Sequence, residues 1–176
     1  MASVISMIAI ADQDLAALCE RVGNHLLAAG RRLVTAESCT GGWVAKACTD
    51  IAGSSRWFEC GFVTYSNSAK ARDLGVSERT LADNGAVSEA TVREMAVGAL
   101  RVSGADVAVA ISGIAGPDGG TPTKPVGTVW FGLASRQPDK TEVAAEVLLF
   151  SGDRETVRRC SVVRALELVL GVEWTR

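Results

Sequence analysis

The sequence predicts one α/β domain spanning residues 1–176, a three-layer α/β/α arrangement with helices on both faces of a mixed, mostly parallel sheet. Three observations carry this expectation. Strand-like segments alternate with segments of helical periodicity along most of the chain, the pattern of βαβ units. The run Asp106-Val107-Ala108-Val109-Ala110-Ile111-Ser112 is almost continuously apolar, as in a strand covered by helices on both faces. Two strand candidates, Gly127–Ala134 and Thr141–Phe150, are split only by a polar turn around Pro138-Asp139, which favours an antiparallel hairpin.

Each element has its own signal. Met1–Ala11 is apolar but short and lacks the basic flank of a secretory signal. Asp12–Ala29 places Leu15, Leu18, Cys19, Val22, Leu26 and Ala29 on one helical face, and Gly30 stops it. Arg31–Glu37 reads as a strand, followed by a turn at Ser38 and a helix to about Ile51, broken by Gly53-Ser54-Ser55. Aromatic and β-branched residues make Trp57–Tyr65 a strand. Ser66-Asn67-Ser68-Ala69-Lys70 opens a short helix, Val76-Ser77-Glu78 starts another that ends at Asn84-Gly85, and Ser88 caps a long one. After the buried strand comes the glycine-rich loop Gly113–Gly120, then the hairpin, and finally a helix over Gly152–Leu170 with Asp153 and Glu155 in its first turn.

Composition excludes several classes. With 48% hydrophobic and 22% charged residues the chain is soluble and globular. A net charge of −2 without a basic cluster argues against nucleic acid as partner, while a small anionic ligand stays compatible. No stretch reaches the roughly 18 apolar residues of a membrane span. The five cysteines are odd in number, widely spaced and lack a C-x-x-C pair, so reduced, mostly buried thiols in the cytoplasm are expected. His25 is the one histidine; alone it makes neither a metal site nor a Ser-His-Asp triad. No metal or cofactor is expected, and a hydrolase built on this chain needs another base.

Candidate chemistry gathers where strands end. Ser38, Cys39 and Thr40 occupy a strand-to-helix turn followed by Gly41 and Gly42. Such a turn presents a hydroxyl or thiol, with free N–H groups nearby for an anion or oxyanion; a plain helix cap is the alternative. Ser38 is the first nucleophile candidate and Cys39 the second. Lys70 is the nearest base if burial lowers its pKa, and Tyr65 can assist; a solvated lysine and a core tyrosine are the alternatives. The Gly113-Ile114-Ala115-Gly116 loop lacks a Walker G-K-[ST] and is open to binding phosphate, binding an oxyanion or simply turning. Arg154 and Arg158 lie one helical turn apart, as a phosphate clamp or a solvated face.

Five motifs occur in order: Thr35-Ala36-Glu37-Ser38-Cys39-Thr40-Gly41-Gly42, Gly61-Phe62-Val63-Thr64-Tyr65-Ser66-Asn67, Gly85-Ala86-Val87-Ser88, Ser112-Gly113-Ile114-Ala115-Gly116-Pro117 and Pro125-Val126-Gly127-Thr128-Val129. Together they closely resemble the CinA C-terminal domain family, whose enzymes are nicotinamide-nucleotide amidases, and the chain looks like the stand-alone form. The resemblance implies an α/β/α fold, a homo-oligomer with a dimer favoured, a cytoplasmic location and no cofactor. It further implies hydrolysis of nicotinamide mononucleotide to nicotinic acid mononucleotide and ammonia, in pyridine nucleotide recycling. The family's nucleophile maps onto Ser38, and its tyrosine and lysine onto Tyr65 and Lys70. Substrate contacts are expected from Thr40, Gly41, Gly42, Ser112, Gly113, Ala115, Gly116 and Arg154. Gly119–Lys124 is the variable part. A non-catalytic pyridine-nucleotide-binding module and an amidase for another small amide are the competing readings.

Overall fold

The computed structural model describes residues 3–5, by their backbone, and 11–173. Most of the segment read as Met1–Ala11, namely residues 1–2 and 6–10, therefore lies outside the described residues. The elements run β1 (Ser3–Ile5), α1 (Asp12–Ala29), β2 (Leu33–Glu37), α2 (Trp43–Thr49), β3 (Phe58–Val63), α3 (Asn67–Leu74), α4 (Glu78–Asn84), α5 (Glu89–Ser103), β4 (Val107–Gly113), β5 (Thr128–Arg136), β6 (Thr141–Phe150) and α6 (Arg154–Leu170). A 3-10 turn at Ser54–Arg56 precedes β3.

Among the described residues, one sheet holds six strands in the order β1-β6-β5-β4-β2-β3. Pairings are parallel except where β5 meets β4 and β6. The expected mixed, mostly parallel sheet and the hairpin are both present. The edge strand β1 has no counterpart in the sequence reading: three residues are too few to show a period of two.

Alternation along β4 divides the core. Val107, Val109 and Ile111 join the cluster formed with α1, α2 and α6. Ala108 and Ala110 join the cluster formed with α5 and the end of α3. Small residues on the second face let α5 lie close to the sheet; a methyl group on Gly132 would collide with the Val92 carbonyl. The register shift between Leu33 and Val34 opposite β3 turns that strand, so Phe58 packs in the first cluster while Cys60 and Phe62 pack against the second.

This layering brings the carboxyl ends of β2 and β3 side by side. The chain leaves β2 toward α2 on one face of the sheet, and leaves the adjacent parallel β3 toward α3 on the other. Neighbouring strands whose connections depart to opposite sides open a cleft at their carboxyl ends, where α/β sheets bind ligands. Among the described residues, no helix is long and apolar enough to cross a membrane.

Candidate active site

Residues 33–40 are buried without interruption, so the chain carries Glu37, Ser38, Cys39 and Thr40 out of the sheet while still inside the protein. Helix α2 begins there with Gly42 at its N-cap, which has no side chain to cap with. Glu37 supplies the cap instead. Its carboxylate accepts from the N–H groups of Gly42 (2.9 Å), Val44 (3.1 Å) and Ala45 (2.8 Å), and from the Thr35 hydroxyl (3.2 Å). A fully buried glutamate is rare unless its oxygens are satisfied; here they satisfy the first turn of a helix. Sequence reasoning missed this residue as a functional one. The signal was a glutamate closing an otherwise buried strand, ahead of a helix start with glycines where a capping side chain belongs.

After β3, Ser66 caps α3 by accepting from the Ala69 N–H. Helical side chains lean toward the helix N-terminus. Lys70, one turn in, therefore points back over its own cap, and its Nζ bonds the Thr64 carbonyl at 2.7 Å and the Ser38 hydroxyl at 3.0 Å. Lys70 is only 1% exposed. Burial pushes its amine down from the ordinary value of 10.5. The Ser38–Lys70 bond reverses direction when the amine loses its proton: the ammonium donates to the hydroxyl, whereas the neutral amine accepts from it. Burial has the opposite effect on Cys39, whose thiol is pushed up to about 11. Cys39 lies in the apolar core at 6% exposure and is a poor nucleophile there.

Tyr65 sits at the rim, 63% exposed. Its hydroxyl accepts from Arg154 at 3.2 Å rather than meeting Ser38 or Lys70. Arg154 also donates to the Gly116 carbonyl at 2.8 Å, and so ties the β3 and β4 loops together. Within the Gly113 loop, Ala115 is buried in the core, and the Ser112 hydroxyl donates to the Ala86 carbonyl at 2.8 Å. Arg158 is neither a free phosphate clamp partner nor a solvated face. It donates to the carbonyls of Cys39 (3.0 Å) and Thr40 (2.8 Å), and its guanidinium lies 5.3 Å from the Trp43 ring centre.

The turn's backbone donors are mostly engaged. Ser38 N–H bonds the Ile111 carbonyl, Gly41 N–H the Ser38 carbonyl, Trp43 N–H the Thr40 carbonyl, and Gly42 N–H the Glu37 carboxylate. Gly41 and Gly42, expected from sequence to offer free N–H groups, are thus already bonded. Among the described residues, Cys39 and Thr40 are the turn's two N–H groups that donate to no carbonyl or carboxylate; that of Cys39 lies beside its own sulfur. Two buried hydroxyls among the described residues lack a hydrogen-bond partner, those of Thr40 and Thr64, on the two sides of the Ser38–Lys70 pair. A separate cleft of about 610 Å³ lies behind the turn, lined by residues including Gly41, Gly42, Lys46, Arg158 and Arg159. Ser38 and Lys70 are not among its lining residues, and Lys46 and Arg159 there already pair with Asp50 and Asp12.

Comparison with known proteins adds a family. The CinA C-terminal domain profile matches residues 15–172. The nicotinamide-nucleotide amidohydrolase PncC of Escherichia coli K12 is 60% identical over 156 residues, covering 89% of this chain and 93% of the relative. The protein of the same description from Pseudomonas putida is 52% identical over 158 residues, covering 89% and 96%. Among solved structures, the competence/damage inducible protein CihA from Agrobacterium tumefaciens superposes with a TM-score of 0.85 at 41% identity, covering 93% of this chain and 96% of that one. A match of this extent places the chain in the CinA C-terminal domain family.

Proposed function

We propose that this protein hydrolyses the carboxamide of nicotinamide mononucleotide, releasing ammonia and nicotinic acid mononucleotide for pyridine nucleotide recycling. The observation that carries the reading is the buried Ser38–Lys70 pair at 3.0 Å, with the lysine amine pushed down by burial. The naming of relatives up to 60% identical as nicotinamide-nucleotide amidohydrolases supports the substrate.

The steps follow from the chemistry. Neutral Lys70 takes the proton of Ser38 as Oγ attacks the carboxamide carbon. The Thr64 carbonyl holds the amine in place while it does so. The developing oxyanion is met by the Cys39 and Thr40 N–H groups, beside the nucleophile where an oxyanion hole must lie. Lys70 returns its proton to the departing nitrogen, which leaves as ammonia. Water, deprotonated in turn by Lys70, then attacks the acyl-serine; the C–Oγ bond breaks, Lys70 returns the proton to Ser38 Oγ, and nicotinic acid mononucleotide leaves. The substrate's own pyridinium withdraws electrons from the carbonyl, so a modest nucleophile suffices. Its positive charge suits the exposed Tyr65 ring, and the remaining N–H groups of Arg154 suit the phosphate.

Ammonia release from nicotinamide mononucleotide, measured for wild type beside Ser38→Ala, tests this. Wild type should turn over, and the variant should fall to background while keeping its thermal midpoint. Release by both proteins would remove Ser38 as nucleophile. Release by neither would point to another small amide or to a non-catalytic nucleotide-binding role.

A further inference from the structure

Arg158 reaches the nucleophile turn from α6, and its two contacts are placed in a telling way. The peptide unit is planar, with its C=O and N–H directed oppositely. Holding the carbonyl of one residue therefore fixes the N–H of the next. Arg158 Nε holds the Cys39 carbonyl, which belongs to the same peptide unit as the Thr40 N–H. Arg158 Nη2 holds the Thr40 carbonyl, which shares a peptide unit with the Gly41 N–H. That N–H donates at 3.0 Å to the Ser38 carbonyl, whose peptide unit ends in the Cys39 N–H. The two prongs of one guanidinium thus lead, directly and through one relay, to the two N–H groups of the turn that no carbonyl or carboxylate holds.

We infer that Arg158 is a positioning residue for the oxyanion, setting and polarising the Cys39 and Thr40 donors without touching substrate; this rests on Ser38 being the nucleophile. A cation bonded to an amide carbonyl draws electron density from its nitrogen and strengthens the N–H as a donor. The fork geometry matters as well as the charge, because a lysine ammonium is a point charge that cannot span two successive carbonyls in a fixed plane. The Trp43 ring, the first residue of α2, lies 5.3 Å from the guanidinium carbon and limits its freedom. Glu37 restrains the same turn from its N–H side. The turn is held through its carbonyls by Arg158 and through its later N–H groups by Glu37, which leaves only the donors between them available.

The predicted signature separates this role from support of the fold. Oxyanion donors act on charge that exists only in the transition state, so their misplacement lowers kcat and spares KM. Removing one such donor elsewhere costs about a hundredfold or more in kcat. Arg158→Met should therefore lower kcat with nicotinamide mononucleotide by roughly 30- to 300-fold, with KM within about threefold of wild type. Arg158→Lys should lower kcat by about tenfold or more at an unchanged thermal midpoint. The assays run beside Ser38→Ala. If Ser38→Ala is inactive and Arg158→Lys, folded, keeps wild-type kcat, the inference about Arg158 is overturned while the nucleophile stands. If Arg158→Met loses kcat only in step with KM or with the folded fraction, Arg158 is a structural brace and the inference is also overturned. Activity in Ser38→Ala instead defeats the reading on which both depend. Should Arg158→Met not fold, Arg158→Lys alone decides.

Discussion

Two glycine-containing loops leave the sheet at the carboxyl ends of the adjacent parallel strands β2 and β4, and the protein treats them differently. The turn after β2 and the loop after β4 are both rich in small residues and glycine. The first is buried through Thr40 and pinned from two directions by Glu37 and Arg158. The second is exposed from residue 117 to residue 123. It closes on itself through reciprocal backbone bonds between Thr121 and Lys124, and reaches neighbouring segments through Arg154 and Lys124. Bond-making groups need fixed geometry, since small misplacements are costly in rate. Loops that contact the variable parts of a ligand tolerate change. Under the proposed function this contrast goes with chemistry at the first loop and substrate contact at the second, and the experiments below press on that division.

The largest effect is expected at Lys70. With Lys70 as the proposed base, Lys70→Met should lower kcat by about a thousandfold or more. Wild-type activity should rise with pH as the amine becomes neutral, and reach its plateau below 10.5 because burial lowers the folded-state pKa. The same shift has a consequence for stability. Between the folded pKa and 10.5 the unfolded chain holds a proton that the folded chain has released, so stability increases with pH across that window. Lys70→Met should lose that increment. Denaturant unfolding of both proteins at the two ends of the window checks it; equal pH slopes would mean that Lys70 is not carrying the shift.

Glu37 comes next and tests whether the first loop is as rigid as its bonds imply. Glu37→Gln keeps the shape but turns an –NH₂ toward backbone N–H groups that need an acceptor. Orphaning buried donors of this kind should cost about 2–4 kcal/mol of unfolding free energy. Chemical denaturation gives the number directly, and a loss below about 1 kcal/mol would show that the turn holds without its cap.

How far these roles were legible in the sequence depends on how far apart their partners lie. Periodicity and capping residues located the helices and the five longer strands, because those signals are local; α1 at Asp12–Ala29 and β6 at Thr141–Phe150 have their sequence-derived bounds. Ser38 and Lys70 were each ambiguous alone, and the resemblance of whole motifs brought them together. Arg158 is 119 positions from the carbonyl it holds at Cys39, and nothing in a helical repeat announces that bond. The glycines at 41 and 42 were visible, but whether their N–H groups were free was not. At Gly42 that depends on a glutamate whose carboxylate folds back over the helix start, and at Gly41 on a turn closed to the Ser38 carbonyl.

The smallest effect belongs to the second loop. Lys124 donates to the Asn84 carbonyl at 3.0 Å and so tethers the β4–β5 loop to the end of α4. The tether is solvent-exposed, where a single hydrogen bond or charge contributes little. Lys124→Met should therefore change unfolding free energy by about 0.5 kcal/mol or less. If the loop contacts substrate, loosening it should appear instead as an increase in KM of about two- to threefold at constant kcat, since a contact made equally in ground and transition states shifts binding alone. Steady-state kinetics and a denaturation curve on the one variant give both quantities. A kcat loss with unchanged KM would place this loop with the chemistry, and the division between the two loops would fail at the point where it is easiest to examine.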